Sequence, residues 1–276
     1  MGLGFDKYEG LGNDFVLVEA DREDAVSPAL ARALCDRRRG IGADGVLLLL
    51  PPRTNAADAR MRVLNADGSV PEMCGNGLRC AVLHHARSHG RRTGEVLFDT
   101  DAGPKACVVD DQEGRGLITV DMGVVQVTGD VTIELGGGAP RAPRDPWELS
   151  LADAGNPHAI TTRPATRSVI DAVGPQLATH ARFPAGTNVE FAVYRQGAVD
   201  LVVWERGVGV THACGTGACA TVAVGVARGL CAAGEEVTVN LPGGPLFVTM
   251  RADGHAIMRG PARHVFSGES SLGSAA

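Results

Sequence analysis

The chain has 276 residues, 44% of them hydrophobic, and a formal net charge of -6. This length allows one large domain or two small ones, each with its own core. Acidic and basic residues are mixed along the chain, which argues against a nucleic-acid or membrane-surface partner. The N-terminus lacks a signal-peptide pattern, and no apolar run approaches the roughly 20 residues of a membrane span. We therefore expect a soluble, cytoplasmic protein.

Taken in chain order, short apolar runs between glycines predict strands, and three segments predict helices. The expected helices are Pro28–Arg38, Leu78–Arg87 and Ala218–Arg228. The expected strands are Val46–Leu50, Met61–Leu64, Val96–Phe98, Ala106–Val109, Leu117–Val120, Val131–Leu135, Val189–Val193, Val199–Trp204, Val237–Leu241, Phe247–Met250 and His255–Met258. Arg141–Pro146 reads as a loop, and the small, polar tail Ser267–Ala276 is expected to fray. The pattern is that of a strand-rich α+β protein with few helices.

An internal repeat is the most informative feature. Met73–Ala81 and Ala213–Ala220 both read x-Cys-Gly-x-Gly, lie about half the chain apart, and run directly into a predicted helix. Because the context repeats as well as the letters, the repeat predicts two similar half-domains. Each would consist of strands around a central helix that begins at the motif.

Cysteines at two helix starts suggest proton-transfer chemistry. Unpaired backbone N–H groups and the positive end of the helix dipole would stabilise a thiolate and lower the thiol pKa. The same N–H groups form an anion site for a carboxylate, which the glycines allow to approach closely. If Cys74 and Cys214 faced each other, one sulfur could remove a Cα proton while the other supplied one to the opposite face. The motif therefore predicts racemisation or epimerisation of an amino acid.

Cofactor and metal alternatives have weaker support in the sequence. Pyridoxal phosphate needs a Schiff-base lysine, and Lys7 and Lys105 lack a surrounding motif for that role. A zinc site would need closely spaced ligands, but there is no Cys-x-x-Cys pair and the histidines are not at ligand spacing. We expect neither a metal nor an organic cofactor. The remaining cysteines are expected to be small core residues, namely Cys35, Cys80, Cys107, Cys219 and Cys231.

The motifs together resemble those of the diaminopimelate epimerase family, nearly from end to end. Any one motif is weak, whereas the ordered set is specific. In the first half these are Gly10–Phe15, Gly40–Gly45, Asn65–Ser69 and Met73–Gly77. In the second half they are Gly155–His158, Thr187–Phe191, Glu205–Gly207, Ala213–Cys219 and Leu241–Gly244.

The resemblance implies an LL-diaminopimelate epimerase of lysine and peptidoglycan precursor biosynthesis, without a cofactor and commonly homodimeric. It implies two pseudo-symmetric α+β domains, residues 1–120 with a return at 264–276 and residues 121–263, with the active site in the cleft between them. Cys74 and Cys214 would be the acid and base, and His158 and Glu205 would tune their protonation. The resemblance assigns the substrate's reacting carboxylate to the amides of Gly75, Asn76, Gly215 and Thr216. It assigns the rest of the substrate site to Asn13, Asn65, Asn156, Asn188, Glu205 and Arg206.

Some positions depart from the family pattern, and two other functions remain open. Gly45 stands where some members carry glutamine, and Trp204 stands where tyrosine is common; Val210, His212 and Asp101 also differ. A racemase acting on another amino acid would use the same two thiols. In a different class, a redox-responsive binding protein would join the two cysteines in a disulfide. The retained Asn65, Asn188 and Arg206 favour diaminopimelate, whose distal end needs a cation and amide partners.

Overall fold

The computed structural model describes residues 2–71, 74–114, 116–135 and 145–272. Four helices lie within these ranges, α1 (Pro28–Cys35), α2 (Gly75–Ser88), α3 (Arg167–Ala178) and α4 (Gly215–Ala227). The strands within the first half are β1 (Leu3–Gly10), β2 (Asn13–Glu19), β3 (Gly45–Leu50), β4 (Ala59–Asn65), β5 (Thr93–Asp99), β6 (Lys105–Asp110), β7 (Leu117–Val124) and β8 (Gln126–Ile133). Those that follow are β9 (Trp147–Asp153), β10 (Pro157–Thr161), β11 (Asn188–Arg195), β12 (Ala198–Glu205), β13 (Gly209–Val210), β14 (Glu236–Leu241), β15 (Gly244–Met250), β16 (His255–Pro261) and β17 (Arg263–Ser270). The predicted α+β class with few helices is confirmed.

The chain forms two compact units. Unit 1 comprises Met1–Asp121 and Arg259–Ala276, and unit 2 comprises Met122–Met258. The chain therefore passes from one unit to the other within β7 and returns within β16. Among the described residues, no helix is both long and apolar enough to cross a membrane.

In unit 1, the strands surround α2. Strand β1 pairs antiparallel with β17 and β2, β2 runs parallel to β3, and β3 pairs antiparallel with β4. The series continues through β5, β6 and β7. Helix α2 contacts the strands from β1 to β6 and β17, and its residues from Gly75 to Ala86 are buried. Burial on all sides explains why this helix lacks the single apolar stripe of a surface helix.

Unit 2 repeats this arrangement around α4. Strand β8 pairs with β9, β9 with β10, and β10 runs parallel to β11, which pairs antiparallel with β12. Strand β12 in turn runs parallel to β14, and β14 pairs with β15. Helix α4 contacts β8, β9, β10, β11 and β15 and is almost wholly apolar, as a helix enclosed by strands should be.

Several predicted boundaries were wrong, for local reasons. Helix α1 ends at Cys35 rather than Arg38. The Asp36 side chain accepts the backbone N–H groups of Arg38 at 2.8 Å and Arg39 at 2.9 Å, and these bonds form a turn. Helix α3 was not predicted, since its Gly174 and Pro175 read as helix breakers. Strands β1, β2, β9, β10 and β13 were also missed.

The C-terminal prediction was wrong for residues 267–270, and residues 273–276 lie outside the described residues. The tail was expected to fray from Ser267, but β17 continues to Ser270 and pairs along its length with β1. Pairing with a strand from the start of the chain fixes it, which a reading of the local sequence does not reveal. Of the predicted loop Arg141–Pro146, residues 141–144 lie outside the described residues.

Candidate active site

Cys74 is the N-cap of α2. Its backbone is extended, with φ −138° and ψ 92°, and its sulfur accepts the N–H of Gly77 at 3.3 Å. The sulfur takes the place that a serine or aspartate oxygen holds at an ordinary helix start. The N–H groups of the first turn therefore lie beside this sulfur, as the motif predicts.

Cys214 caps α4 in the same way. Its φ and ψ are −124° and 109°, and Gly217 donates its N–H to the sulfur at 3.3 Å. The Thr216 hydroxyl oxygen lies 3.5 Å from the same sulfur. Cys214 is only 7% exposed, whereas Cys74 is half-buried. The two motifs are thus alike in backbone geometry but differ in burial.

The second glycine of each motif is required by close packing. A Cβ on Gly77 would lie 3.1 Å from the Cys74 sulfur and 2.8 Å from a methyl group of Leu47. A Cβ on Gly217 would lie 3.2 Å from the Cys214 sulfur and 2.8 Å from Oε1 of Glu190. Real Cβ atoms essentially never approach another heavy atom within 3.0 Å. A side chain at either position would therefore displace the sulfur or the side chain beside it.

In unit 1, two predicted substrate-site asparagines are joined by hydrogen bonds. Asn76 Nδ2 donates to Asn13 Oδ1 at 2.8 Å, and Asn13 Nδ2 donates to Asp44 Oδ2 at 3.2 Å. Arg79, fully buried, donates to Asn76 Oδ1 at 3.0 Å and to the Pro261 carbonyl at 3.1 Å. This chain of bonds fixes the orientation of both amides next to the first turn of α2.

Asn65 lies at the end of β4, opposite Gly45 in the strand pairing. Its side-chain amide donates to the Ser69 hydroxyl at 3.0 Å, and its backbone N–H bonds to the Ser69 carbonyl. A Cβ on Gly45 would meet the Leu64 carbonyl at 2.7 Å. The side chain that some relatives carry at Gly45 would therefore require the strands to shift here.

In unit 2, a buried acid–base pair lies behind Cys214. His158 Nδ1 lies 2.6 Å from Glu190 Oε1, and both side chains are fully buried. His158 Nε2 lies 2.9 Å from Asn156 Oδ1, so the ring is held at both nitrogens. Burial raises the pKa of Glu190, although His158 opposes this. The structure thus joins two predicted site residues, His158 and Asn156, directly, and the other His158 nitrogen is held by a carboxylate to which no role was assigned from the sequence.

Glu205 is a second carboxylate near Cys214. It accepts a hydrogen bond from the Thr211 hydroxyl, and it lies close enough to Cys214 for its charge to raise the pKa of that thiol. Burial raises the pKa of Glu205, and the neighbouring Glu190 raises it further. Glu205 is therefore an acidic group whose charge acts on the Cys214 sulfur.

These surroundings reverse the expected acidity of Cys214. Burial raises the pKa of this thiol well above its ordinary value, and the carboxylates of Glu205 and Glu190 raise it further. Hydrogen bonds from Thr216 and from the Gly217 N–H act in the opposite direction. The sequence-based prediction of a lowered pKa is wrong at Cys214, because desolvation and two acidic neighbours outweigh the helix start.

Asn188 and Arg206 lie together at the ends of β11 and β12. Asn188 Oδ1 accepts the backbone N–H of Arg206 at 2.9 Å, and Asn188 Nδ2 donates to the Pro157 carbonyl at 3.2 Å. The Arg206 guanidinium donates to the Ala185 carbonyl at 3.1 Å. The Asn188 amide therefore links the start of β10 to the segment that follows β12.

The sequence reading missed Glu190, Thr211 and Arg79. Only Glu190 had a visible signal: it is the one charged residue within the otherwise apolar stretch of β11 from Val189 to Val193. A charge in a buried strand is rare unless it is paired. Thr211 and Arg79 gain their partners only through the tertiary fold.

Cys35, Cys107 and Lys7 lie in environments that indicate a structural role. Burial raises the pKa of Cys35 to about 11 and that of Cys107 to about 12, which leaves both as inert thiols. The Lys7 ammonium pairs with Asp14 at 2.5 Å and donates to the Gly42 carbonyl. Among the described residues, no group of three or more His, Cys, Asp or Glu side chains could hold a metal ion.

The chain is similar to known proteins along nearly its whole length. The family profile described as diaminopimelate epimerase matches residues 5–128 and 150–265. A diaminopimelate epimerase of Synechococcus elongatus is 42% identical over 99% of both chains. A chloroplastic diaminopimelate epimerase of Oryza sativa is 39% identical over 97% of this chain and 80% of its own.

Solved structures share the fold at lower identity. A hydroxyproline epimerase from Agrobacterium vitis superposes with a TM-score of 0.73 at 20% identity, covering 99% of this chain and 93% of its own. A PhzF-family phenazine biosynthesis protein of Bacillus anthracis gives 0.72 at 15% identity, covering 98% and 99%. The family match and the full-length relatives confirm the resemblance found in the sequence: the chain belongs to the diaminopimelate epimerase family of isomerases.

Proposed function

We propose that the chain is a diaminopimelate epimerase that interconverts LL- and meso-2,6-diaminopimelate for lysine and peptidoglycan precursor synthesis. Family membership supports the substrate, since the full-length relatives carry this name. The observation that carries the chemistry is that two cysteines cap helices in the same manner, each accepting a glycine N–H on its sulfur. A sulfur at that place has first-turn N–H groups beside it that can hold a carboxylate.

The proposed reaction is a two-base proton transfer. One thiolate removes the Cα proton, so a C–H bond breaks and an S–H bond forms. The other thiol then gives its proton to the opposite face of the carbon, so an S–H bond breaks and the inverted C–H bond forms. We assign the two sulfurs to Cys74 and Cys214, which requires both to reach one α-carbon. The first-turn N–H groups of Gly75, Asn76, Gly215 and Thr216 would stabilise the carboxylate as it gains enolate character. No organic cofactor is needed for this scheme.

The remaining polar residues are assigned to binding the substrate. Arg206 can bind the distal carboxylate with two parallel hydrogen bonds, and side-chain amides supply donors and acceptors for the distal ammonium and carboxylate. The amides in question are those of Asn13, Asn65, Asn156 and Asn188, and Glu205 supplies a further acceptor. His158 and Glu205 would tune the protonation of Cys214, since the Glu205 carboxylate raises the pKa of that thiol.

The test follows deuterium from solvent into Cα of LL-diaminopimelate, using reduced protein shown to be free of pyridoxal phosphate. We expect exchange together with formation of the meso isomer. Cys74→Ala and Cys214→Ala should each lower turnover at least a thousandfold, because each variant lacks one of the two proton-transfer groups. Cys231→Ala, which removes a half-buried cysteine outside the motifs, serves as the matched control and should retain turnover.

Other outcomes would contradict parts of the proposal. Exchange with another amino acid but not with diaminopimelate would retain the two-thiol chemistry and reject the substrate. Near-normal turnover in either cysteine variant would reject the two-base mechanism. A disulfide-dependent interaction with another protein, together with no exchange on any amino acid, would favour the redox-responsive binding function instead.

We further propose that the enzyme works in the cytoplasm as a homodimer, without a nucleic-acid partner. The net charge of -6 argues against a nucleic-acid partner, and the thiol chemistry, which needs reduced cysteines, supports the cytoplasm. The dimer is what the family resemblance implies. Sedimentation equilibrium under reducing conditions should give twice the mass of 28.6 kDa. A monomer mass across the micromolar range would reject the dimer.

A further inference from the structure

The two units share one pattern of strand pairing, the strand frame, so their residues can be compared position by position. In unit 1, β2 runs parallel to β3 with Phe15 beside Gly45 and Leu17 beside Leu47. In unit 2, β10 runs parallel to β11 with His158 beside Asn188 and Ile160 beside Glu190. By register, His158 therefore corresponds to Phe15, and Glu190 corresponds to Leu47.

The next strand extends the correspondence. Val46 pairs with Leu64, and Val189 pairs with Trp204, so the residues that follow, Asn65 and Glu205, are equivalent. The glycine geometry gives an independent check. A Cβ on Gly77 would meet Leu47, and a Cβ on Gly217 would meet Glu190, each at 2.8 Å. The Leu47 and Glu190 side chains thus occupy the same place behind their respective helix starts.

The comparison shows a chemical difference between otherwise similar frames. At three equivalent positions unit 1 has the residues Phe15, Leu47 and Asn65, which do not ionise, whereas unit 2 has the ionisable residues His158, Glu190 and Glu205. Leu47 is fully buried, so an apolar side chain fits this place in the frame. Packing therefore does not require a carboxylate at Glu190.

Burial of the Glu190 carboxylate is unfavourable. Its side chain is fully buried, and its Oε2 atom has no hydrogen-bond partner among the described residues. Leaving a buried polar atom unpaired is destabilising, and more so when the group is charged. An apolar residue of similar size at such a place is often neutral or stabilising. A carboxylate retained at this cost, next to a proposed proton-transfer group, indicates a role in the reaction.

We propose that Glu190 is a positioning residue that, with Glu205, keeps Cys214 protonated in the ligand-free enzyme, so that Cys74 is the sulfur that carries the negative charge. This inference rests on the proposed function, because the two-base reaction needs one thiol and one thiolate. Glu190 acts through its place against Gly217 and the Cys214 sulfur, and His158 fixes that place by its 2.6 Å hydrogen bond.

The charges around Cys214 agree with this assignment. Glu190 comes from β11 and Glu205 from β12, and His158 on β10 is bonded to Glu190. Ionising the thiol would place a third negative charge beside two carboxyl groups in a buried region, and like charges disfavour this. Both carboxylates raise the pKa of Cys214, as does burial. The Thr216 hydroxyl and the Gly217 N–H oppose the shift, as donors to the sulfur.

The first experiment needs no substrate. Ligand-free reduced protein is treated briefly with iodoacetamide from pH 6 to pH 10.5, and peptide mass spectrometry follows Cys74 and Cys214 separately. We expect Cys74 to be alkylated at lower pH than Cys214. Glu190→Gln, which keeps the shape and the hydrogen bond to His158 but removes the charge, should lower the midpoint for Cys214 by at least one pH unit. That shift is a tenfold change in thiol acidity.

A matched control separates charge from general damage. Glu148→Gln makes the same chemical change at an exposed position on β9 of the same unit and should leave the Cys214 midpoint in place. A purely structural role for Glu190 would change how much Cys214 reacts without moving its midpoint. An unchanged midpoint in Glu190→Gln, or a wild-type midpoint lower for Cys214 than for Cys74, would overturn the inference.

A second readout uses catalysis. The high-pH decline of kcat/KM should move to lower pH in Glu190→Gln relative to wild type, because the thiol form of Cys214 is lost sooner. Equal high-pH declines in the two proteins would count against the inference. If wild type shows no epimerisation of diaminopimelate, the proposed function fails on its own, and the alkylation midpoints still decide the role of Glu190.

Discussion

At the scale of single residues, the site depends on a glycine that lies between a proposed catalytic sulfur and a buried carboxylate. Gly217 donates its N–H to the Cys214 sulfur and leaves room for Glu190 Oε1, which would otherwise lie 2.8 Å from a Cβ. Flexible side-chain ends can often move aside, but Glu190 is buried and bonded to His158. An added methyl group therefore has to displace either the carboxylate or the sulfur.

Gly217→Ala should lower turnover at least tenfold and cost about 1–3 kcal/mol of folding free energy, the usual range for overpacking. Steady-state epimerisation and urea unfolding measure the two effects. Gly4→Ala is the matched control, since a Cβ there meets no atom within 4 Å, and it should change neither. Wild-type turnover in Gly217→Ala would show that the carboxylate is free to move away.

At the scale of elements, β1 and β2 are held to the loop before β3 by a buried ion pair. The Lys7 ammonium, on β1, contacts Asp14, on β2, at 2.5 Å, and Arg37 contacts Asp14 at 2.6 Å. Burial opposes ionisation of Asp14, but hydrogen bonds from Arg37 and Lys7 lower its pKa to about 2. Because Lys7 is itself only 6% exposed, it needs this partner.

Asp14→Asn should destabilise the fold by about 2–3 kcal/mol, because it removes the charge that pairs with the buried Lys7 ammonium. The loss would appear as a lower urea midpoint at pH 7. Asp24→Asn breaks a pair with Arg22 in which both side chains are mostly exposed, and it should leave the urea midpoint unchanged. Equal effects of the two substitutions would contradict the distinction between buried and exposed pairs.

At the scale of the whole molecule, the carboxyl groups divide into two unequal sets. Those with lowered pKa values form ion pairs or accept backbone N–H groups, and among the described residues they include Asp14, Glu23, Asp24, Asp36, Asp67, Asp111, Asp200 and Asp253. Glu190 and Glu205 have raised values. A lowered pKa adds stability that is present above the unfolded value and is lost on acidification, whereas a raised pKa has the opposite effect.

The balance predicts that stability falls as pH drops below about 4, where the unfolded carboxyl groups take up protons first. For Asp14, the change from 3.8 to about 2 corresponds to about 2 kcal/mol, lost as the pH falls between these values. Urea midpoints from pH 7 to pH 2.5 would measure the decline. The decline should be shallower in Asp14→Asn, and parallel curves would contradict the assignment.

The sequence by itself determined the two cysteine motifs, their place at helix starts, the α+β class and the family. These features depend on neighbouring residues in the chain, because a cysteine followed by Gly-x-Gly and a helical pattern can be recognised without knowledge of the fold. Local signals also led to wrong predictions. Gly174 and Pro175 are typical of helix ends, so α3 was not predicted, and the polar composition of β17 was typical of a frayed tail.

Only the tertiary structure decided what surrounds each sulfur. The Glu190 carboxylate is far from Cys214 in the chain and reaches it because β10, β11 and β12 lie side by side and α4 begins against them. Desolvation and the field of two carboxylates then outweigh the helix start, which reverses the acidity predicted for Cys214. Burial and through-space charge depend on which strands pair, and that pairing is a property of the whole fold.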